Sequence, residues 1–381
     1  MAVRVYDLKN KITQKELMLK YDFNDDSIIK SEFGLEFKSD FNIKLDSRNL
    51  FVKNNLCLSI GSIKELNDFS TLIKNEIDRS LGDSLISSID KFQNYNTKLF
   101  QLNNKELEFI EPKIMGILNV TPDSFSDGGK FVDIDSAFYH AKKMIEDGAG
   151  IIDVGGESTR PGADLISESE ELKRVIPIIE KINSEFPDTI ISIDTNKSGV
   201  ADKALKAGAG IVNDISGGTF DKKMFDIVKQ HDAAIIIMHI KGNPKDMQKN
   251  PAYYNVVDEI YSWLNERVII AEQSGISKII LDPGIGFGKR VSDNFEIISR
   301  VSDFKSLGYP ILIGLSKKSY IGKSLNLEVD EREVPTAISE AISLQNGTNI
   351  IRTHNVKNAV MAKKILKYYN NPEILNNVRN I

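Results

Sequence analysis

The feature that most constrains this chain is a recurring join, where a helical pattern stops at a glycine and a short apolar run follows. Asp147-Gly148-Ala149-Gly150 leads into IIDVGG, Lys206-Ala207-Gly208-Ala209-Gly210 into IVNDISGG, Gln273-Ser274-Gly275 into ISKIILDPGIG, and Gln345-Asn346-Gly347 into TNIIRTHNV. Glycine is the residue that a left-handed helix C-cap favours. Short apolar runs bounded by such signals read as strands buried on both faces.

Collecting every run of this kind predicts eight strands: Ile114–Asn119, Ile151–Gly155, Ile190–Asp194, Ile211–Asp214, Ala234–His239, Ile279–Asp282, Ile311–Gly314 and Asn349–Thr353. Helical patterns such as AFYHAKKMIEDG and VDEIYSWLNERVIIAEQSG lie between them. The strands recur about every 34 residues, the size of a βα unit. An open doubly wound sheet is the rival, but eight regular units favour closure into a (β/α)8 TIM barrel. The expectation is an α/β chain in which the barrel follows a small α+β domain.

That amino-terminal domain is placed at residues 1–96 and the barrel domain at 97–381. The first segment is rich in Asn, Asp, Ser and Lys, with short alternating stretches FGLEFK and FNIKL and a helical stretch near DFSTLIKNEIDRSL. It carries no recognisable catalytic motif. Residues 97–111 read as two short strands about Asn103-Asn104, a hairpin turn signal, expected to plug the barrel floor. Forty-nine Lys and Arg against 54 Asp and Glu leave a net charge of −5, which gives no basic surplus for nucleic acid or an anionic membrane. A single cysteine, Cys57, excludes an internal disulfide and suits a reducing compartment. With no signal-peptide core and no run of about 20 apolar residues, the expected location is the cytoplasm.

In such barrels the chemistry sits at the C-terminal ends of the strands. Those ends supply Asn119, Asp153, Asp194, Asn213-Asp214, Met238-His239, Asp282 before PGIGFGK, Ser316-Lys317-Lys318-Ser319, and Arg352 with His354. Asp194, Asn213 and Asp282 suit a flat heterocycle whose amino group and ring N–H donate as a pair, with Lys318 to meet a carbonyl or ring nitrogen. Arg352, His354, Asn119 and the glycine-rich loops suit phosphate, with Mg2+ held through oxygen ligands such as Asn119. Asp153 and Asp214 read equally well as helix caps or loop braces, and His239 as a residue bonded to backbone. His140 and His231, inside helical patterns, read as surface or packing residues. Neither GIGFGK nor Gly322-Lys323-Ser324 completes a nucleotide-binding motif, and no cluster has zinc spacing.

The segment IMGILNVTPDSFSDGG (Ile114–Gly129) resembles the first signature of the dihydropteroate synthases, and DVGGESTRPGA (Asp153–Ala163) resembles the second. The likeness continues through SIDT, VNDISGG, MH, DPGIGFGK, SKKS and RTH, over about residues 97–371. It implies a cytoplasmic, homodimeric folate-pathway transferase, the target of sulfonamides, that joins 4-aminobenzoate to a dihydropterin diphosphate with Mg2+. By that resemblance Asp194, Asn213, Met238, Asp282 and Lys318 hold the pterin, Asn119 helps bind Mg2+, and Arg352 with His354 holds the diphosphate. Thr159, Arg160, Pro161, Phe287 and Ser319 shape the 4-aminobenzoate site, and Phe125 and Asp127 close over the reacting carbon. Asp127, Arg160, Lys318, Arg352 and His354 are the implied catalytic set. Three positions depart from the pattern: Lys317 for arginine, Asn355 for aspartate and Ile285 for phenylalanine.

Two other functions compete on the same scaffold. A corrinoid-type pterin methyltransferase needs the pterin carboxylates but neither a diphosphate clamp nor the TPDSFSDGG loop. A non-catalytic pterin-binding paralogue predicts decay of the loops or of the Arg352–His354 pair, and all are intact in the sequence.

Overall fold

The structure is a computed structural model that describes residues 3–21, 27–39, 50–121, 134–158, 166–244 and 246–377. Strands β1 (Arg4–Asp7), β2 (Phe33–Lys38), β3 (Leu50–Lys53) and β4 (Leu56–Gly61) form an antiparallel sheet in the order β1-β2-β4-β3. One face packs Val5, Leu35, Phe37 and Cys57 against Leu66, Ile73, Leu85 and Ile89 of helices Ile63–Glu76 and Arg79–Asn94. FGLEFK is β2, whereas FNIKL lies outside the described residues. The expected single helical stretch is two helices, because Asp78 starts a new one by accepting from the Leu81 backbone N–H. Their close crossing requires Gly82: a Cβ there would fall 2.3 Å from the Lys74 Cα.

Strands β5 (Leu99–Leu102) and β6 (Lys105–Glu108) make the expected hairpin, with Asn103 in the left-handed region at φ 55°. Eight parallel strands follow: β7 (Lys113–Asn119), β8 (Ile151–Gly155), β9 (Ile190–Asp194), β10 (Ile211–Asp214), β11 (Ala234–Met238), β12 (Ile279–Asp282), β13 (Leu312–Gly314) and β14 (Ile350–Thr353). They pair in the order β12-β11-β10-β9-β8-β7-β14-β13, and a bridge between Leu281 and Ile311 joins the two ends into a barrel. β8, β9, β10 and β12 match the sequence expectation at both ends; the other four differ by one residue. Ile311, for instance, forms the bridge to Leu281 but lies just before β13. The glycine joins are helix ends in the left-handed region, with φ 102° at Gly148, 119° at Gly208, 82° at Gly275 and 102° at Gly347.

Alternate residues on each strand face opposite sides. Ile152, Ile191, Val212, Ile235 and Ile351 pack outward on the helices. Met115, Ile151, Ile190, Ile211, Ile236, Ile280, Leu312 and Ile350 point inward and meet Phe100, Leu102, Leu107 and Phe109 of the hairpin segment. The hairpin therefore closes the floor as expected, leaving one polar mouth. A Phe100→Ala variant, at a site 2% exposed, is expected to lower the unfolding free energy by about 3–5 kcal/mol; urea denaturation measures it.

Candidate functional site

The same alternation selects the ring at the mouth. Asn119, Asp153, Asp194, Asn213, Met238, Asp282 and Arg352 all share the inward register of the interior apolar residues. Asp214 and His239 fall on the outward register.

An ionic network crosses the barrel. Asp153 Oδ2 accepts from Arg352 Nε at 2.6 Å and from Asn213 Nδ2 at 2.9 Å. Asp194 Oδ2 accepts from Arg352 Nη2 at 2.6 Å. Asp153 and Asn213 are buried, and Asp194 is 9% exposed. Burial pushes the Asp194 carboxyl up to about 7; Arg352 opposes this and the Asp153 charge adds to it. Burial alone would lower the Arg352 pKa, but Asp153 and Asp194 outweigh it and hold the guanidinium charged. Asp153 Oδ1 and Ser192 Oγ, at paired positions on β8 and β9, are buried with no hydrogen-bond partner among the described residues. The floor of the ring thus retains acceptors for a ligand or water.

Opposite this network, Asp282 Oδ1 accepts from the Gly284 N–H at 2.7 Å, and burial raises its pKa, with Lys318 opposing. Lys318 Nζ donates to the Ile285 carbonyl and lies 4.9 Å over the Phe287 ring. Burial pushes this lysine down to about 8, while Asp282 pulls the other way. Met238, at the end of β11, is buried between these groups' strands.

His354 is positioned by Ser316, whose Oγ lies 2.9 Å from Nδ1 and accepts from the His354 backbone N–H. Ser319 is exposed at the start of helix Ser319–Leu325. Two of the three departures from the family pattern converge: Lys317 Nζ pairs with Glu333 Oε1 at 2.8 Å, and Asn355 Nδ2 donates to Glu333 Oε2 at 2.7 Å. Ile285, the third, is fully buried, and its carbonyl holds Lys318.

Asp127, Phe125, Thr159, Arg160 and Pro161 lie outside the described residues. The stem of the second loop is described: Glu157 accepts from the Ile166 N–H at 2.8 Å, and Lys197 bridges Glu157 and the buried Glu171. Asp214 is the loop brace it could have been, accepting from Ser216 and Gly218 N–H groups. Asp153 stands instead at the centre of the ring. His239 packs edge-on against Trp263 and lies 3.0 Å from Lys289 Nζ; burial holds it neutral, with a pKa pushed down to about 2. His231 pairs with Asp202 on the outside. Sequence reasoning gave no role to Asp153 within the ring, to Glu333 or to Lys289. For Asp153 the period-two alternation with Ile151 was an available signal; for Glu333, on a helix, there was none.

The pterin-binding enzyme family matches residues 115–354. The chain is 45% identical over 281 residues to the dihydropteroate synthase of Bacillus subtilis, covering 73% of this chain and 94% of that one. The solved dihydropteroate synthase of Yersinia pestis with a sulfonamide drug is 37% identical, with a TM-score of 0.68, over 72% of this chain and 99% of that one. The Xanthomonas albilineans enzyme with 4-aminobenzoic acid gives a TM-score of 0.68 at 35% identity over the same shares. With this ring of side chains on this barrel, the chain belongs to the dihydropteroate synthase family of pterin-binding enzymes.

Proposed function

We infer that the chain condenses 4-aminobenzoate with (7,8-dihydropterin-6-yl)methyl diphosphate, giving 7,8-dihydropteroate and diphosphate. The observation that carries this reading is the Asp153–Arg352–Asp194 network beside Asn213, Asp282 and Lys318, in a chain of this family. Asp194, Asn213 and Asp282 accept from, or donate to, the amino-pyrimidinone edge of the pterin, and Lys318 donates to its ring. Met238 packs beneath it. Arg352 and His354 face the diphosphate, while Phe287, Ser319, Thr159 and Pro161 border the 4-aminobenzoate.

The bond from the methylene carbon to the diphosphate oxygen breaks, and the electron pair leaves with diphosphate. The arylamine nitrogen then bonds to the resonance-stabilised methylene cation and releases a proton. No enzymic nucleophile is required, so the protein's part is positioning and stabilisation of charge. Asp127 is the proposed group that steadies the cation or takes the proton, and Arg160 is a further member of the proposed catalytic set.

Mg2+ is part of this reading. Among the described residues no cluster of three His, Cys, Asp or Glu forms a metal cage. Gly155 leaves open the space between Asn119 and Asp194: a Cβ there would lie 3.8 Å from Asn119 Oδ1 and 3.5 Å from the Asp194 Cβ. One amide oxygen fits an ion that arrives with phosphate oxygens and keeps several waters. Asn119 would hold it, and bound Mg2+ neutralises charge on diphosphate.

The proposal extends to a cytoplasmic homodimer. No helix among the described residues is long and apolar enough to cross a membrane. Val334, Ile338 and Ile342 on one helix and Met361, Ile365 and Tyr369 on the next are exposed at four-residue spacing, an apolar stripe that a second copy would cover. The deciding experiment is diphosphate release from the dihydropterin diphosphate with Mg2+. Release that depends on 4-aminobenzoate, with dihydropteroate formed, is expected. Tight binding of the diphosphate ester without turnover would favour a non-catalytic pterin binder.

A further inference from the structure

The amino-terminal region matches neither the family nor the site, yet one of its side chains reaches deep into the barrel's flank. Arg4 on β1 is 4% exposed. Its Nη1 donates to Asp258 on helix Val256–Gln273, and Nη2 lies 3.4 Å from Asp303, in the turn that follows helix Val291–Ser299. The guanidinium stacks between Tyr6, at 4.6 Å, and Tyr261 of helix Val256–Gln273, at 4.4 Å. Neighbours repeat the grip. Thr13 Oγ1 donates to Asp303 at 3.1 Å, Asn10 donates to the Ser299 carbonyl, and Glu16 accepts from Asn255, the N-cap of helix Val256–Gln273.

Those two helices also carry the loop Gly284–Lys289. Tyr253, just before the first helix, donates to the Gly288 carbonyl at 2.8 Å, and Gln248 donates to the Gly286 carbonyl. Asn294 on the second helix accepts from the Gly286 N–H at 2.6 Å. The loop holds Phe287, against which Lys318 rests, and its Ile285 carbonyl holds the lysine itself. The loop is therefore suspended between two helices whose separation is spanned by two guanidinium groups: Arg4 from the amino-terminal domain, and Arg300 from within the barrel, 2.8 Å from Asp303 and 3.8 Å from Asp258.

We propose that Arg4 is a positioning residue for the Gly284–Lys289 loop, so that the amino-terminal domain sets the geometry of the ligand site through the two helices it clamps. Without Arg4, Asp303 keeps Arg300 and Thr13, but Asp258 keeps only the 3.8 Å contact with Arg300; the span between the two carboxylates loosens, and the loop follows. The kinetic part of this proposal rests on the synthase reading; the exchange part does not.

The test uses the full chain. Arg4→Met is expected to speed amide hydrogen exchange at Gly286 and Gly288 without substrate. It should also raise KM for one or both substrates about three- to thirtyfold, with kcat within about twofold. Arg4→Lys keeps the charge but not the fork and should fall between. Ile73→Val, in the amino-terminal core away from this contact, controls for stability: it should lower Tm and leave KM unchanged. If Arg4→Met does not fold, Thr13→Val removes only one bond to Asp303 and should shift loop exchange in the same direction. Unchanged exchange and KM in the Arg4 or Thr13 variant, with only Tm lowered, would overturn the proposal. Faster loop exchange in a protein without synthase activity would leave the positioning intact and sink the enzymatic reading instead.

Discussion

An Arg352→Met variant is expected to lose affinity for a bare dihydropterin as well as for its diphosphate ester, and to unfold more easily than the parent. From sequence, Arg352 belongs to a phosphate half of the site, separate from the pterin carboxylates. In the structure it is bonded to one of those carboxylates, Asp194, through Nη2 and to the neighbouring Asp153 through Nε, at 2.6 Å each. Removing it leaves Asp153, fully buried, with only the Asn213 amide as partner. Breaking a buried ion pair by deleting one member costs about 3–5 kcal/mol. Part of that falls on stability and part on the pterin, whose acceptors are then drawn toward protonation. Calorimetric titration with the pterin and its diphosphate, beside a urea melt, separates the contributions. Full retention of bare pterin affinity with loss of the ester alone would restore two independent halves.

The second large effect concerns pH. If Asp194 must accept as a carboxylate and Lys318 must donate as an ammonium, kcat/KM for the pterin diphosphate rises as Asp194 ionises near 7 and falls as Lys318 loses its proton near 8. A narrow bell results. Asp194→Asn is expected to erase the acidic limb and lower kcat/KM on the order of a hundredfold, the worth of one strong charge-assisted contact. Stability should move the other way. A carboxyl raised in the folded state stabilises the fold below its unfolded pKa, and that contribution is lost as pH rises through about 7. The asparagine variant should therefore melt later than the parent at pH 8. An acidic limb that survives the substitution would assign it to another group.

The barrel was legible because its physics is local. A glycine cap, an apolar run and a polar end repeat regularly, and the strands fall where those signals put them. The ring was legible for the same reason, since strand ends converge in any such barrel. Asp153 and Asp214 looked alike as residue types at strand ends, yet one is inside and one outside. Counting from Ile151 and Ile211 in steps of two separates them. The clamp at Arg4 had no such signal. Its partners are 254 and 299 residues away in sequence, and a lone arginine on a short strand carries no periodicity to announce them. Nor does periodicity foretell that Glu333, on a helix after the seventh barrel strand, would reach back to the mouth.

That carboxylate ties the history of three positions together. Lys317 and Asn355 both depart from the residues common in the family, and both rest on Glu333. A lineage moving from this chain toward the common pattern could exchange Lys317→Arg first at little cost. Asn355→Asp taken alone would set a second carboxylate where an amide now donates at 2.7 Å, a like-charge contact. Glu333 would have to change beforehand or in the same step. The order of substitutions is thus restricted, and single exchanges copied from relatives into this background will not reproduce their effects there.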